Sequence, residues 1–239
     1  MKGTFYGLGV GPGDPDLITV KSLKILQGAD VIVTPTKKMG KPSIAYRIVE
    51  SHIPQGTEVI EMNFPMISLS AERETLKKQW AENADAIEEM LKDGKDVVFL
   101  TLGDPMVFST YSYIMEFLVE RDIAVVTLSG IPSFCNLAAQ VGIPLTQGEE
   151  SLGVVAMTQP MEEIRAILDA HKNIVVMKVS ADNAKLAEEL KARGLEKQFI
   201  LVSNIGMDTQ SVVRDIEVLA GKIPYLSTVL IKKDYDLGE

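Results

Sequence analysis

The sequence is poor in the side chains on which much enzyme chemistry is built. Its 239 residues include one cysteine, Cys135, and two histidines, His52 and His171, far apart in the chain. A lone cysteine excludes an internal disulfide and an all-cysteine metal centre. No Ser-His-Asp, Cys-His or His-Glu metal constellation can be assembled from this inventory, and no metal site is expected. No apolar run approaches the roughly 20 residues that span a bilayer, so no membrane partner is expected. Met1–Thr4 leads straight into a strand-like run and lacks signal-peptide architecture, which points to the cytoplasm. Basic residues are also short, 24 against 33 acidic ones, for a net charge of −9. That balance argues against nucleic acid, whose binding draws largely on Lys and Arg. A small anionic substrate stays open, because a local cluster can override the global charge.

What is present describes a folded α/β protein. Hydrophobic residues make up 46% and charged residues 24%, enough apolar material for a packed core. Strand-like runs at Thr4–Leu8, Val31–Thr34, Glu58–Met62, Val97–Leu102 and Ala124–Leu128 are rich in Val, Ile and Leu, and most are continuous rather than alternating in apolar character. Strands buried on both faces of a parallel sheet read this way. Helical stretches fall between them, at about Leu17–Gln27, Ser43–Ser51, Ala71–Leu91 and Met106–Glu120. In the third, Leu76, Trp80, Ala84, Ile87 and Leu91 recur at three- and four-residue steps and form one apolar stripe. The alternation predicts an open parallel sheet covered by helices.

The second half is less regular. Strands are expected at Gly153–Met157, Ile174–Val179, Phe199–Ser203, Val212–Ile216 and Ser227–Lys232, with helices at Glu162–His171 and Asn183–Ala192. Gly194 stands where a helix C-cap wants glycine. Only a short segment, Glu217–Leu226, parts the last two strands, which predicts that they run antiparallel in a mixed sheet. The division expected is residues 1–130 and 131–239.

Three strand-to-helix turns carry the motifs. The first is Gly7-Leu8-Gly9-Val10-Gly11-Pro12-Gly13-Asp14-Pro15. Its glycines do not fit the G-x-G-x-x-G dinucleotide fingerprint, since Pro12 or Asp14 falls where the third glycine belongs. No Gly-Lys-Ser/Thr follows, so it is not a Walker loop. It reads either as a tight turn capped by Asp14 with Pro15 behind it, or as a backbone shaped to approach a ligand closely. The second turn is Thr101-Leu102-Gly103-Asp104-Pro105 and the third Ser129-Gly130-Ile131-Pro132-Ser133. In open α/β sheets ligands bind at the carboxyl ends of the strands, where all three turns lie. Asp104 is then the acidic group nearest any reacting atom. Tyr111, on the helix that follows, either packs or looks into the crevice.

Gly9–Thr19, Gly103-Asp104-Pro105 and Gly130-Ile131-Pro132-Ser133 together resemble the tetrapyrrole (corrin/porphyrin) methylases, along nearly the whole chain. The run Leu102–Tyr113, then Ser133-Phe134 and Gly142-Ile143-Pro144-Leu145, is similar to the subgroup that methylates C20 of precorrin-2 or cobalt-precorrin-2 in cobalamin synthesis. Phe108 departs from the tyrosine expected there. The resemblance implies two α/β domains, S-adenosylmethionine in a cleft between them, and a homodimer. It assigns cofactor binding to Pro12, Leu102, Gly103, Asp104, Val107, Pro132, Ser133, Met177 and Gly206. Asp104 is the expected catalytic base and Tyr111 a second catalytic candidate. The substrate is a tetrapyrrole, and any cobalt arrives inside it. Lys37, Lys38 and Lys41 are candidate partners for its carboxylates.

Overall fold

The computed structural model describes residues 3–36, 40, 43–64 and 73–237. The chain divides into two units, Met1–Pro132 and Ser133–Glu239. Lys37, Lys38 and Lys41 lie outside the described residues.

In the first unit, short runs of Val, Ile, Leu and Phe form β1 (Phe5–Gly9), β2 (Val31–Thr36), β3 (Glu58–Asn63), β4 (Val97–Thr101) and β5 (Val125–Leu128). They build one sheet in the order β3-β2-β4-β1-β5, parallel throughout. Every residue of β4 is buried, which is why its sequence shows no polar alternation. Phe5, Val31, Val33, Val97 and Phe99 share one face and pack beneath α3 (Arg73–Lys92) and α4 (Tyr111–Val119). The stripe Leu76, Trp80, Ala84, Ile87 and Leu91 is the buried side of α3. Burying each of its Leu and Ile side chains contributes about 1.5–3 kcal/mol. Trp80 also stacks on Tyr113 of α4, with ring centroids 4.1 Å apart.

Two expected helices start later than their sequences suggest. The stretch from Leu17 to Gln27 is interrupted. Asp14 Oδ1 accepts the Asp16 N–H over a single 3-10 turn, Pro15–Leu17. Helix α1 (Val20–Gln27) then begins afresh from Thr19, whose hydroxyl accepts the Ser22 N–H. The stretch from Met106 to Glu120 becomes helical only at Tyr111. Phe108 has φ +47°, a left-handed conformation that no helix accommodates, and the Ser109 hydroxyl accepts the Tyr111 N–H. Between these helices lies α2 (Ile44–Val49).

The second unit holds β6 (Leu152–Ala156), β7 (Asn173–Met177), β8 (Phe199–Ser203), β9 (Ser211–Val213) and β10 (Ser227–Lys232). Their order is β6-β7-β10-β8-β9, with β6 parallel to β7 and β10 antiparallel to both β7 and β8. The sheet is mixed, yet β9 and β10 are not partners as expected. β8 separates them, β9 runs antiparallel to β8, and the last two strands therefore point the same way. The intervening segment makes a short helix, α8 (Ile216–Ala220), begun by the Asp215 carboxylate, so the predicted strand ends early at Val213.

Both faces of this sheet are covered. Ile174, Val176, Phe199, Leu201, Val229 and Ile231 meet α6 (Met161–Ala170), α7 (Asn183–Ala192) and α8. Val175, Ile200, Val202 and Leu230 meet Leu137 of α5 (Ser133–Val141), a helix that follows the third motif turn. Gly194 follows α7 at φ +65°, the glycine cap its position implied. Lys232 is buried to 0% exposure at the end of β10. Its Nζ donates to Pro144 O at 3.0 Å and Leu145 O at 3.3 Å and lies 3.5 Å from Glu150 Oε2. The Gly142–Leu145 motif is therefore pinned to the sheet by a charge that sequence reading passed over. Among the described residues no helix is long and apolar enough to cross a membrane.

Candidate functional site

The three motif turns meet because β1 lies between β4 and β5, and all three strands point the same way. From β1 the chain goes on toward β2, and from β4 it goes the other way, to β5. That divergence between adjacent strands is a topological switch point, where open α/β sheets leave a crevice at the strands' carboxyl ends.

At this edge the loops are tied by backbone. Val10 N–H donates to Thr101 O at 2.9 Å, Gly103 N–H to Gly11 O at 2.8 Å, and Gly11 N–H to Gly103 O at 3.3 Å. Gly11 at φ +83° and Gly103 at φ +72° occupy left-handed conformations that glycine adopts without a Cβ penalty. Where β1 ends, the packing is closer still. A Cβ on Gly130 would stand 2.0 Å from Gly103 O, and one on Gly9 would stand 2.6 Å from Gly130 N. These glycines let three chain segments touch at main-chain distance.

Asp104 completes the junction. Its Oδ1 accepts the Met106 N–H at 2.8 Å and its Oδ2 accepts the Gly130 N–H at 3.0 Å. Hydrogen bonds to a charged acceptor contribute about 1.5–3 kcal/mol each. Pro12 is buried beside the first loop, while Leu102, Val107 and Pro132 are half-buried. Val107 N–H closes a turn onto Asp104 O at 3.2 Å. One polar group at this edge is left over: Thr101 Oγ1 is buried and has no hydrogen-bond partner. A buried hydroxyl in that state costs about 1–3 kcal/mol unless something supplies the bond.

Tyr111 is not part of the edge. It is 0% exposed and stacked on Phe5 at 6.0 Å between centroids, and its hydroxyl is 2.6 Å from Thr127 Oγ1. Burial raises its pKa, and the bond to Thr127 opposes that rise in part. A ring enclosed in the core cannot reach a substrate, so the catalytic reading of Tyr111 is corrected to a packing role. Gly7 is explained by the same ring. A Cβ there would stand 2.0 Å from Tyr111 Cε2, so this glycine serves the core and not a ligand.

In the second unit, Ser133 opens α5 and is half-buried. Met177 ends β7 half-buried, its carbonyl accepting the Met157 N–H at 2.8 Å. Gly206 follows β8 at φ +73°, its N–H donating to Gln210 Oε1 at 2.7 Å. β7 and β8 run in the same direction, so Met177 and Gly206 lie toward the same edge of that sheet. The histidines stand apart: His52 Nε2 is 3.4 Å from Pro15 O in the first unit, and His171 Nδ1 is 3.1 Å from Ser151 Oγ in the second.

A switch-point junction of glycine loops on a parallel sheet, followed by a mixed α/β unit, is the framework of a known class of transferases. The chain belongs to the tetrapyrrole (corrin/porphyrin) methylases, whose sequence model matches residues 4–217. It is 33% identical over 241 residues, the whole of both chains, to the cobalt-precorrin-2 C(20)-methyltransferase of Salmonella typhimurium. It is 36% identical over 237 residues, 95% of each chain, to a "Probable cobalt-precorrin-2 C(20)-methyltransferase" of Methanocaldococcus jannaschii. Among solved structures, the cobalt precorrin-4 methyltransferase CbiF matches with a TM-score of 0.74, covering 96% of this chain and 94% of its own at 23% identity. A uroporphyrin-III C-methyltransferase from Thermus thermophilus, complexed with S-adenosyl homocysteine, matches at TM-score 0.70 and 21% identity, covering 97% of this chain and 92% of that one.

Proposed function

We propose that this chain transfers a methyl group from S-adenosylmethionine to C20 of cobalt-precorrin-2 or precorrin-2, as a cytoplasmic homodimer in cobalamin synthesis. The observation that carries the reading is full-length identity of 33% and 36% to relatives named for that reaction on the cobalt-bearing ring. The precorrin-2 C(20)-methyltransferase of a Sinorhizobium species is 28% identical over 234 residues, which favours cobalt-precorrin-2 as the substrate. Cobalt then enters as part of the substrate.

The residues present fit the methyl donor. The junction brings the backbones of Gly9, Gly103 and Gly130 together at a switch point without intervening side chains, and Thr101 Oγ1 keeps one unused hydrogen-bonding position beside it. We assign Pro12, Leu102, Gly103, Asp104, Val107, Pro132, Ser133, Met177 and Gly206 to holding it. When bound, S-adenosylmethionine supplies an already electrophilic methyl group and would leave as S-adenosylhomocysteine, with the C20 proton then lost to water, so little is asked of side-chain acids and bases. This suits a chain with two histidines and one cysteine. The protein's contribution is alignment: C20 must be held about 3–3.5 Å from the methyl carbon. Asp104 serves that end as a positioning residue in this reading. Both its oxygens accept backbone N–H groups, and taking a proton would spend one of them.

Incubation with methyl-labelled cofactor and either cobalt-precorrin-2 or precorrin-2, with NMR location of the label, tests the proposal. Label at C20 of the cobalt form is expected. Label on another ring carbon keeps the family and rejects the reaction.

A further inference from the structure

Thr101 ends β4 in register with Gly9 of β1. Strand alternation puts its side chain on the face it shares with Val97 and Phe99. The residue is 6% exposed. Its carbonyl is engaged by Val10 N–H, while its hydroxyl has no partner. The groups around it are already committed: Gly11 and Gly103 bond to each other, and Asp104 holds Met106 and Gly130. Four buried side-chain atoms without partners are found among the described residues. The other three belong to Asn136, Gln198 and Arg214 of the second unit. In the first unit the unsatisfied group thus falls at the carboxyl edge, and a native structure that keeps such a group calls for a reason.

We propose that Thr101 Oγ1 is a cofactor-binding group that hydrogen-bonds the amino-acid end of S-adenosylmethionine. The inference rests on the methyl-donor reading above and adds a contact that no motif assigned. A hydroxyl both donates and accepts, so it can serve either the carboxylate or the ammonium of that end. Burial selects between the two ligands of the reaction. A slender aliphatic terminus can reach a nine-tenths-buried hydroxyl, whereas the broad face of a macrocycle cannot. The vacant hydrogen bond is then a cost carried by the free protein and recovered on binding.

Calorimetry on the full chain tests this with two ligands. S-adenosylhomocysteine carries the amino-acid end, and 5′-methylthioadenosine has the same thioether nucleoside without it. Thr101→Val keeps the shape and removes the hydroxyl. It is expected to weaken S-adenosylhomocysteine binding about tenfold, leave methylthioadenosine within about twofold, and leave the melting temperature of the free protein unchanged or higher. Thr101→Ser, which keeps the hydroxyl, is expected to bind both ligands within about threefold of the unaltered chain. Unchanged S-adenosylhomocysteine affinity in Thr101→Val overturns the assignment. So does an equal loss for both ligands, or a lowered melting temperature, which would reveal a partner within the protein. An unaltered chain that binds neither ligand overturns the methyl-donor reading itself.

Discussion

Asp104 and Gly130 are 26 residues apart in sequence and joined by one hydrogen bond of 3.0 Å, from the glycine N–H to Asp104 Oδ2. Oδ1 of the same carboxylate holds Met106 N–H. One side chain thus ties the loop after β4 to the loop after β5, while the Gly103 backbone ties it to the loop after β1. Replacing Asp104 by Asn puts an amide N–H against one of the two backbone N–H groups. S-adenosylhomocysteine affinity is expected to fall at least about tenfold together with turnover, since a charged hydrogen bond contributes about 1.5–3 kcal/mol. Calorimetry beside steady-state kinetics reads both. Turnover lost at unchanged affinity would return Asp104 to the role of base.

The closeness of the glycines predicts a second result. Gly130→Ala must push a methyl into Gly103 O, a backbone atom that cannot swing aside. A loss of about 1–3 kcal/mol in urea unfolding is expected, with weakened cofactor binding. Gly221→Ala, whose new methyl meets nothing nearer than 3.4 Å, is the control and should be nearly neutral.

Tyr111 separates packing from catalysis. Tyr111→Phe keeps the ring on Phe5 and forfeits the bond to Thr127, at a cost of about 1 kcal/mol or less. Its kcat should stay within about twofold of the unaltered enzyme, because the ring has no access to substrate. Tyr111→Ala empties the core and should cost roughly 3–5 kcal/mol. A Tyr111→Phe enzyme that folds normally and loses turnover would reinstate the hydroxyl as catalytic.

Acid sensitivity follows from Glu189 in the second unit. Arg165 hydrogen bonds hold its carboxyl below the usual range, burial opposes them, and Arg193 adds to the lowering. The folded pKa lies under the unfolded value of about 4.3, so the unfolded chain binds more protons as pH falls. The contribution is therefore complete above about pH 5 and is lost as pH drops through the folded pKa. Urea midpoints from pH 3 to 7 should be level at the top and fall at the acid end. Glu189→Gln should make that fall shallower; an identical acid limb would place the effect on other carboxylates.

The glycine loops at the carboxyl ends of β1, β4 and β5, the apolar stripe of α3 and the parallel character of the first sheet were legible in the sequence. Each is a local matter: a period of 3.6, an unbroken apolar run, a glycine where the chain must turn. Helix starts were less legible, because Thr19, Ser109 and the left-handed Phe108 override the apolar pattern around them. Strand neighbours were not legible at all. Nothing near Val212 or Thr228 says that β8 will lie between their strands, since ladder partners are chosen by the packing of the whole sheet. The same holds for the site. The sequence by itself determined that Gly7, Gly9, Gly130, Asp104 and Thr101 would stand near turns or strand ends and that Tyr111 would lie on a helix. Only the tertiary structure decided what each does there. Gly7 yields to a buried ring, Gly9 and Gly130 yield to each other's backbone, and Asp104 spends both oxygens on loops. Thr101 is left with a hydroxyl to offer, because hydrogen bonds are allotted by distance in space and not along the chain.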